Sequence, residues 1–247
     1  MRAYLIFRCY GPMTSWGDIA VGEHRRSFAQ PSKSAALGLI AAALGIRRTE
    51  EQRLNALHTS FGFAYCVENP GTLLRDYHTI QAPSASTGIH YTRRDELAVE
   101  PEKLNTLLSA REYRCDAQAL IGLWERDLTA YRLDDLRVAL RQPHFTLYLG
   151  RKSCPPALPL DPAIISTDNG VHEAFLLYFQ RNAMRLSLPP RDDRELSVAA
   201  DADADPVGAL EHDRIIRRDV PSSRARWQFA ERWEIRTVIP RPSEDAS

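Results

Sequence analysis

An α+β fold is what this sequence predicts, and three observations predict it. Runs rich in Tyr, Leu, Ile, Val and Phe recur up to residue 149 and read as strands. Segments between them carry helical patterns with recognisable starts and stops. Gly-Pro and Pro-Gly pairs punctuate the alternation. The chain can support such a fold, since 44% of its 247 residues are apolar, enough for a sizeable core.

Ala3 to Tyr10 is the first strand, and Gly11-Pro12 breaks it. Residues 11–30 form a loop holding Trp16, Arg25 and Arg26. A small-residue helix, AALGLIAAALG, follows Pro31-Ser32-Lys33-Ser34. Ser32 or Ser34 can cap its first turn, and Gly45 suits the left-handed position after its last. A second short helix covers Glu50 to Thr59. Phe61 to Glu68 and Leu73 to Ile80 read as strands flanking Pro70-Gly71, the pattern of a hairpin. Residues 81–110 hold Ser, Pro, Gly and charge with weak periodicity and read as an insertion or protruding loop. Arg111 to Trp124 is another strand, Leu133 to Arg141 a helix with Leu133, Leu136, Val138 and Leu140 inward, and Phe145 to Leu149 a short strand. Taken as strand, helix, strand, strand, helix, strand, the order is that of a ferredoxin-like (RRM-like) unit. It carries its large insertion, at about 81–112, between the third strand and the second helix.

The remainder is a smaller β-rich region. The expected division is therefore 1–155 for the ferredoxin-like domain and 156–247 for the C-terminal part. Cys154 to Pro162 is Pro-rich and leads out of the first unit, Asp168 or Asn169 can cap a helix to about Phe179, and Trp227 to Ile239 reads as a final strand. Ala199 to Asp205, with alternating Ala and Asp, reads as a surface loop, and its DADADP string has no assigned role.

Charge bounds the function classes. Lys plus Arg and Asp plus Glu are both 32, so the net charge is zero, which excludes a broadly basic or acidic chain but not local patches. Only Lys33, Lys103 and Lys152 are lysines; the other basic residues are Arg, whose planar fork suits phosphates and bases, although GC-rich codon usage accounts for such a bias more simply and composition alone names no site. Cys9, Cys66, Cys115 and Cys154 are scattered without metal spacing, so no metal and no cofactor is expected. No run approaches a membrane span or a signal peptide, and the expected location is the cytoplasm. GxxxxGK[ST], GxGxxG, GxSxG and HExxH are all missing, which leaves NTPase, dinucleotide, serine-hydrolase and zinc-protease chemistry without support.

Five stretches carry candidate chemistry, and each has a plainer structural alternative. The helix start at Lys33 and Ser34 offers N–H groups, hydroxyls and an ammonium to a phosphate, or is simply a capped helix. Tyr148-Leu149-Gly150-Arg151-Lys152-Ser153 offers two cations and a stacking face, or is a solvated turn. His78, in LRDYHT, can contact a base, act as a general base, or be structural. Arg111 shares a strand face with Tyr113 after the insertion and can clamp a single strand, or sits on a solvent edge. Arg224 and Arg226 lead into Trp227 and can hold a phosphate backbone, or form a charged loop before a core Trp. For hydrolysis of RNA, His78, His144, Tyr148 and Lys152 are the groups available, with nothing in their spacing to show convergence.

Several strings together resemble one family. They are GPMTSWG at 11–17, PSKSAALGLIAAALGI at 31–46, LRDYHT at 74–79, REYRCD at 111–116, YLGRKSCP at 148–155 and RDVPSSRARWQFAERWEI at 218–235. In this order they resemble the CasD family of type I-E Cascade subunits of CRISPR systems, within the RAMP superfamily; the likeness thins at 81–110 and 156–212. The resemblance implies a thumb-like insertion reaching a neighbouring backbone subunit. It implies a non-catalytic role in antiviral defence, holding the 5′ handle of the guide RNA (crRNA) at one end of the complex. The implied partners are that RNA, the backbone subunit and the large PAM-reading subunit, with target DNA reached indirectly. Arg111 and Tyr148 match positions that stack on or clamp the handle, Arg25, Lys33 and Ser34 a phosphate-binding stretch, and Arg151 and Lys152 backbone contacts. Arg26, His78 and Arg224 complete the expected RNA-binding set, and Trp16 is expected to pack. The alternative is a metal-independent endoribonuclease that processes repeat RNA, as the related type I-C subunit does.

Overall fold

The structure is a computed structural model and describes residues 1–17, 22–84, 89–126, 130–181, 195–202, 212–223, 226 and 228–241. Eleven strands and five α-helices are described. They are β1 (Arg2–Tyr10), β2 (Met13–Thr14), β3 (His24–Arg25), α1 (Lys33–Ala43), α2 (Glu51–Ser60), β4 (Phe61–Asn69) and β5 (Thr72–Pro83). Then come α3 (Arg93–Leu97), β6 (Leu104–Cys115), β7 (Gln118–Glu125), α4 (Leu133–Arg141), β8 (Ala163–Thr167), α5 (Val171–Arg181), β9 (Glu195–Asp201), β10 (Asp213–Ser223) and β11 (Gln228–Pro240).

A seven-stranded sheet runs β10-β11-β9-β4-β7-β1-β8, and every adjacent pair in it is antiparallel. It crosses residue 155 without a break, because β8 pairs β1 and β9 pairs β4. Its central strands are buried on both faces. Leu5, Phe7, Phe61, Phe63, Ile121 and Leu123 point into a core shared with α1, α2 and α4. Their neighbours Ile6, Ala64, Cys66, Leu120 and Trp124 point into a second core with Val171, Phe175 and Tyr178 of α5. Helices thus cover both sides of the sheet, which is why these strands read as nearly continuous apolar runs.

Helix α1 follows the sequence closely. Ser32 Oγ accepts from Ala35 N at 3.2 Å. At the other end Gly45 takes φ +72, with Ile46 N donating to Ala41 O and Gly45 N to Ala42 O, a Schellman cap. The helix is apolar all round and correspondingly enclosed, with Leu37 and Ile40 fully buried. Helix α2 and helix α4 fall where the patterns place them, except that Val138 of α4 is 58% exposed instead of inward; the buried stripe is Leu133, Leu136 and Leu140, and α5 begins two residues after Asn169.

Four expectations are corrected. The strands at 61–68 and 73–80 do not form a hairpin: β4 pairs β7 and β9, while β5, among the described residues, pairs β6 alone, along twelve registered positions from Thr72↔Cys115 to Pro83↔Leu104. Residues 111–124 are not one strand, because Asp116, at φ 55, turns the chain between β6 and β7. Phe145 to Leu149 is irregular, and the strand following α4 is β8 instead. Ala199 to Asp201 is the buried end of β9, not a surface loop; positions 203–206 of that string lie outside the described residues. Residues 72–115 form the β5–β6 arm, carrying α3 at Arg93–Leu97, in a small second sheet with β2 and β3.

Candidate nucleic-acid interface

Strand β6 organises the site. Its Arg111 lies directly beside Arg25 of the parallel strand β3, and opposite Asp76 of β5. Strand alternation puts Arg25, Arg111 and Tyr113 on one face, and Glu112 with Arg75 on the other. Arg25 and Arg111 are exposed, so two guanidinium groups stand side by side at the surface.

The turn at 148–155 docks against this face, and Gly150 makes the docking possible. At φ +88 it occupies backbone space that favours glycine, and an added Cβ would lie 1.8 Å from Ser15 O. Ser15 N donates to Leu149 O at 3.0 Å, joining this turn to the 11–17 loop. Arg151 then pins the turn to the strands. Its Nη1 donates to Glu112 O at 3.2 Å, its Nη2 to Arg25 O at 3.1 Å, and its guanidinium lies 4.8 Å from the centre of the Tyr113 ring. A planar fork can bond two carbonyls and stack at once, which an ammonium cannot. Tyr148 stays 43% exposed on the same turn, and Lys152 is exposed beside it.

On the reverse face Glu112 is a local hub. It accepts from Arg75 Nη2 at 3.0 Å and from Ser27 N at 3.2 Å. Burial pushes its carboxyl up, but the Ser27 and Arg75 hydrogen bonds and the nearby Arg26 charge outweigh it, and the group is held below the usual carboxylate range. Two carboxylates, Glu112 on this face and Asp76 opposite Arg111 on the other, thus sit among Arg26, Arg75, Arg25, Arg111 and Arg151. The balance is positive and the guanidinium groups are accessible, an arrangement that binds phosphate.

The expected site residues divide accordingly. Arg25, Arg111, Tyr148, Arg151 and Lys152 are brought together around β3, β6 and the 148–155 turn. Arg26 is exposed on the Glu112 side. His78 sits further along the arm, with Nδ1 3.1 Å from Asp76 Oδ2. Arg224 lies outside the described residues, as does Trp227. Trp16 is 2% exposed and packs, as the sequence suggests. His144 packs beside Gly45 at the end of α1, its backbone N–H donating to Ala43 O.

Lys33 is the correction. It is buried at 2% exposure, and its Nζ lies 2.6 Å from Asp201 Oδ2. Its backbone N–H donates to Asp219 Oδ2 at 2.8 Å, so the N-terminus of α1 already holds an anion, a carboxylate of the chain itself. Ser34 shares a hydrogen bond with Ser32 at 3.1 Å. Burial drives the Lys33 ammonium pKa down against the opposing pull of Asp201, and Arg126 and Arg232 add like-charge crowding. The network continues from there. Arg232 bonds Asp219 at 2.7 and 3.0 Å, Asp201 at 3.1 Å and Glu234 at 2.7 Å, and Tyr65 donates to Glu234 at 3.1 Å. Sequence reading missed Asp201, Asp219, Arg232 and Glu234 as a unit, and no local motif signals it: Lys33 and Asp201 are 168 positions apart. Arg75 and Glu112 were findable, since they face each other once β5 and β6 are paired.

A family model described as "CRISPR-associated protein (Cas_Cas5)" matches residues 4–235. The chain belongs to this family of CRISPR-associated proteins. Among individual relatives, it is 35% identical over 168 residues to the "CRISPR system Cascade subunit CasD" of Escherichia coli (strain K12), an overlap covering 65% of this chain and 70% of that one. The fold matches a chain of a solved structure described as "CRISPR RNA-guided surveillance complex", with TM-score 0.63 and 23% identity over 96% of this chain and 89% of that one. It also matches one described as "Crystal structure of Cas protein", with TM-score 0.60 and 25% identity over 96% of this chain and 95% of that one.

Proposed function

We propose that this chain is a non-catalytic subunit of a Cascade-type complex that binds the 5′ handle of the guide RNA. In this reading it caps one end of the backbone filament and contacts the large PAM-reading subunit, meeting target DNA only through the assembly, in the cytoplasm. The observation that carries the proposal is the pairing of Arg25 with Arg111 on β3 and β6, beside the turn that presents Tyr148 and Lys152. Arg and Lys neutralise phosphates and release counterions, and an exposed Tyr offers a face to an unstacked base. Arg151 holds that geometry in place while its outer edge serves the backbone. The name of the Escherichia coli relative supports the Cascade assignment.

Two structural details support the finer reading. The run β4-β7-β1-β8, with helices between β1 and β4 and between β7 and β8, is compatible with a ferredoxin-like unit in 1–155 closed by β8 from the 156–247 region. The β5–β6 arm presents Leu73, Leu74, Tyr77, Leu107 and Leu108 to solvent, all at least 38% exposed, as a thumb meeting a backbone subunit would.

The test uses the purified chain, end-labelled repeat RNA and EDTA, read on native and denaturing gels. Binding without cleavage, weakened in Arg111→Ala/Tyr148→Ala, is the expected outcome. A discrete metal-independent product would overturn it in favour of a processing endoribonuclease, with His78 and its Asp76 partner the first residues to substitute.

A further inference from the structure

A cleft of about 630 Å³ opens between α2, the end of β9 and the β10–β11 hairpin, away from the β3–β6 site. Its volume is that of a pocket for a small organic ligand. Four cations line it: Lys33, Arg126, Arg214 and Arg232. The only carboxylate among its lining residues is Asp201, whose oxygens already meet three of those cations at 2.6, 3.0 and 3.1 Å, as well as Phe63 N at 3.1 Å; Arg232 is further paired with Asp219 and Glu234 behind the wall. Arg214, exposed at the cleft, is in none of these pairs. Asn55 and Thr59 of α2 add polar groups to the opposite wall. Trp233 also lines the cleft and is 56% exposed, whereas Trp16 and Trp124 are each 2% exposed. A large aromatic left half in water, beside the exposed guanidinium of Arg214 at the rim of that paired cluster, matches a ligand with an aromatic face and an anion.

We propose that this cleft is a second ligand site, for a nucleoside phosphate. The base lies on Trp233 and the phosphate sits between Arg214 and Arg126. Asn55 and Thr59 are placed to meet the sugar or base edge. The same chemistry is presented by a free nucleotide and by one exposed nucleotide of a strand, and the experiment separates the two. The site is independent of the handle-binding reading, so measurements are made on the full chain carrying Arg111→Ala/Tyr148→Ala, which silences the first site.

Calorimetric titrations with AMP, inorganic phosphate and a short single-stranded oligoadenylate decide the matter. AMP binding more tightly than phosphate is expected, with the AMP advantage lost in Trp233→Ala and binding of both probes weakened about tenfold in Arg214→Ala. Both substitutions fall at exposed positions, and unchanged thermal midpoints would show that the fold is intact. If AMP is silent and the oligoadenylate binds with the same dependence on Trp233 and Arg214, the site takes a nucleotide within a strand. Phosphate bound as well as AMP, binding indifferent to both substitutions, or no binding by any probe at millimolar concentration would each overturn the proposal.

Discussion

Two arginine-rich regions of this chain use their charge in opposite ways. Around Asp201 and Asp219 the cations are enclosed, and Arg232 alone meets three carboxylates. Around Arg111 the guanidinium groups lie at the surface; Glu112 faces the other side of the strand, and Asp76, opposite Arg111, sits 3.1 Å from His78. The first region holds α1 to β9, β10 and β11. The second has charge left over for a ligand. The difference is not in residue type, since both are built from Arg with a single Lys, but in how many carboxylates the fold brings within reach.

The sharpest way to break this contrast is to remove the hub. Asp201→Ala strips a buried partner from Lys33, Arg126 and Arg232 at once, and breaking a buried ion pair costs about 3–5 kcal/mol. For a chain of this size that corresponds to a thermal midpoint lowered by roughly 10 °C, measured by circular dichroism. Replacing Asp201 without loss of stability would show that the network is not structural. In the exposed region the equivalent change leaves stability alone. Arg111→Ala with Tyr148→Ala removes a phosphate contact and a stacking face, about 1–3 kcal/mol of binding from the stacking alone. Filter binding of repeat RNA across a salt series should show affinity falling at least tenfold, with a shallower salt slope and an unchanged melting curve.

Between these extremes lies Arg151, which belongs to both patterns, being half-buried yet at the surface site. Arg151→Lys keeps the charge but cannot bond Glu112 O and Arg25 O together while stacking on Tyr113. RNA affinity is expected to fall by about fivefold, because the 148–155 turn loses its anchor while the electrostatics persist, and losing a neutral-acceptor hydrogen bond costs about 1 kcal/mol. Wild-type affinity in Arg151→Lys would reduce Arg151 to a point charge.

The same contrast explains what was legible in the sequence. Local signals placed α1, α2, α4 and α5, and the Ser32 and Gly45 caps, because capping is settled within a few residues. The N-terminal strands were legible, but β8, β9 and β10 were not, and Phe145 to Leu149 is irregular where a strand was expected; pairing was not legible at all. The Pro70-Gly71 turn suggested a hairpin, yet β4 belongs to the large sheet, where Ala64 and Tyr65 face Ala200 and Ala199, and β5 to the arm. An apolar run buried on both faces carries no mark of its neighbours. Lys33 failed as a phosphate ligand for a related reason. The helix start looked ready for an anion and does hold one, but the anion is Asp219, 186 positions away. Arg25, Arg111, Tyr148 and Arg151 converge because the strings carrying them lie on adjoining strands and the turn docked against them, and this convergence appears only once β3, β6 and the turn are placed.

The smallest effect separates the two regions by pH. Asp219 and Glu112 both have carboxyls held below the usual range. For each, burial pushes upward and is overridden, by Arg232 hydrogen bonds and charge at Asp219 and by Ser27 and Arg75 at Glu112. A carboxyl depressed in the folded state stabilises the fold above its unfolded value, about 3.9 for Asp, and that contribution is lost as pH falls through the folded value. Asp219 is 6% exposed and tied to α1, so its stabilisation begins to be lost as pH falls below the unfolded value of about 3.9 and is gone, with the sheet–helix contact loosened, once the pH has passed below its depressed folded value. Glu112 pairs with an Arg75 that is 61% exposed, where solvent screens the interaction and stability barely responds. Thermal midpoints followed from pH 7 downward should therefore fall in the wild type below about pH 4, fall less steeply in Asp219→Asn, which starts lower, and run parallel to wild type in Glu112→Gln. A wild-type slope carried by Glu112 instead would mean that the exposed cluster, not the enclosed one, is the ionic element the fold depends on.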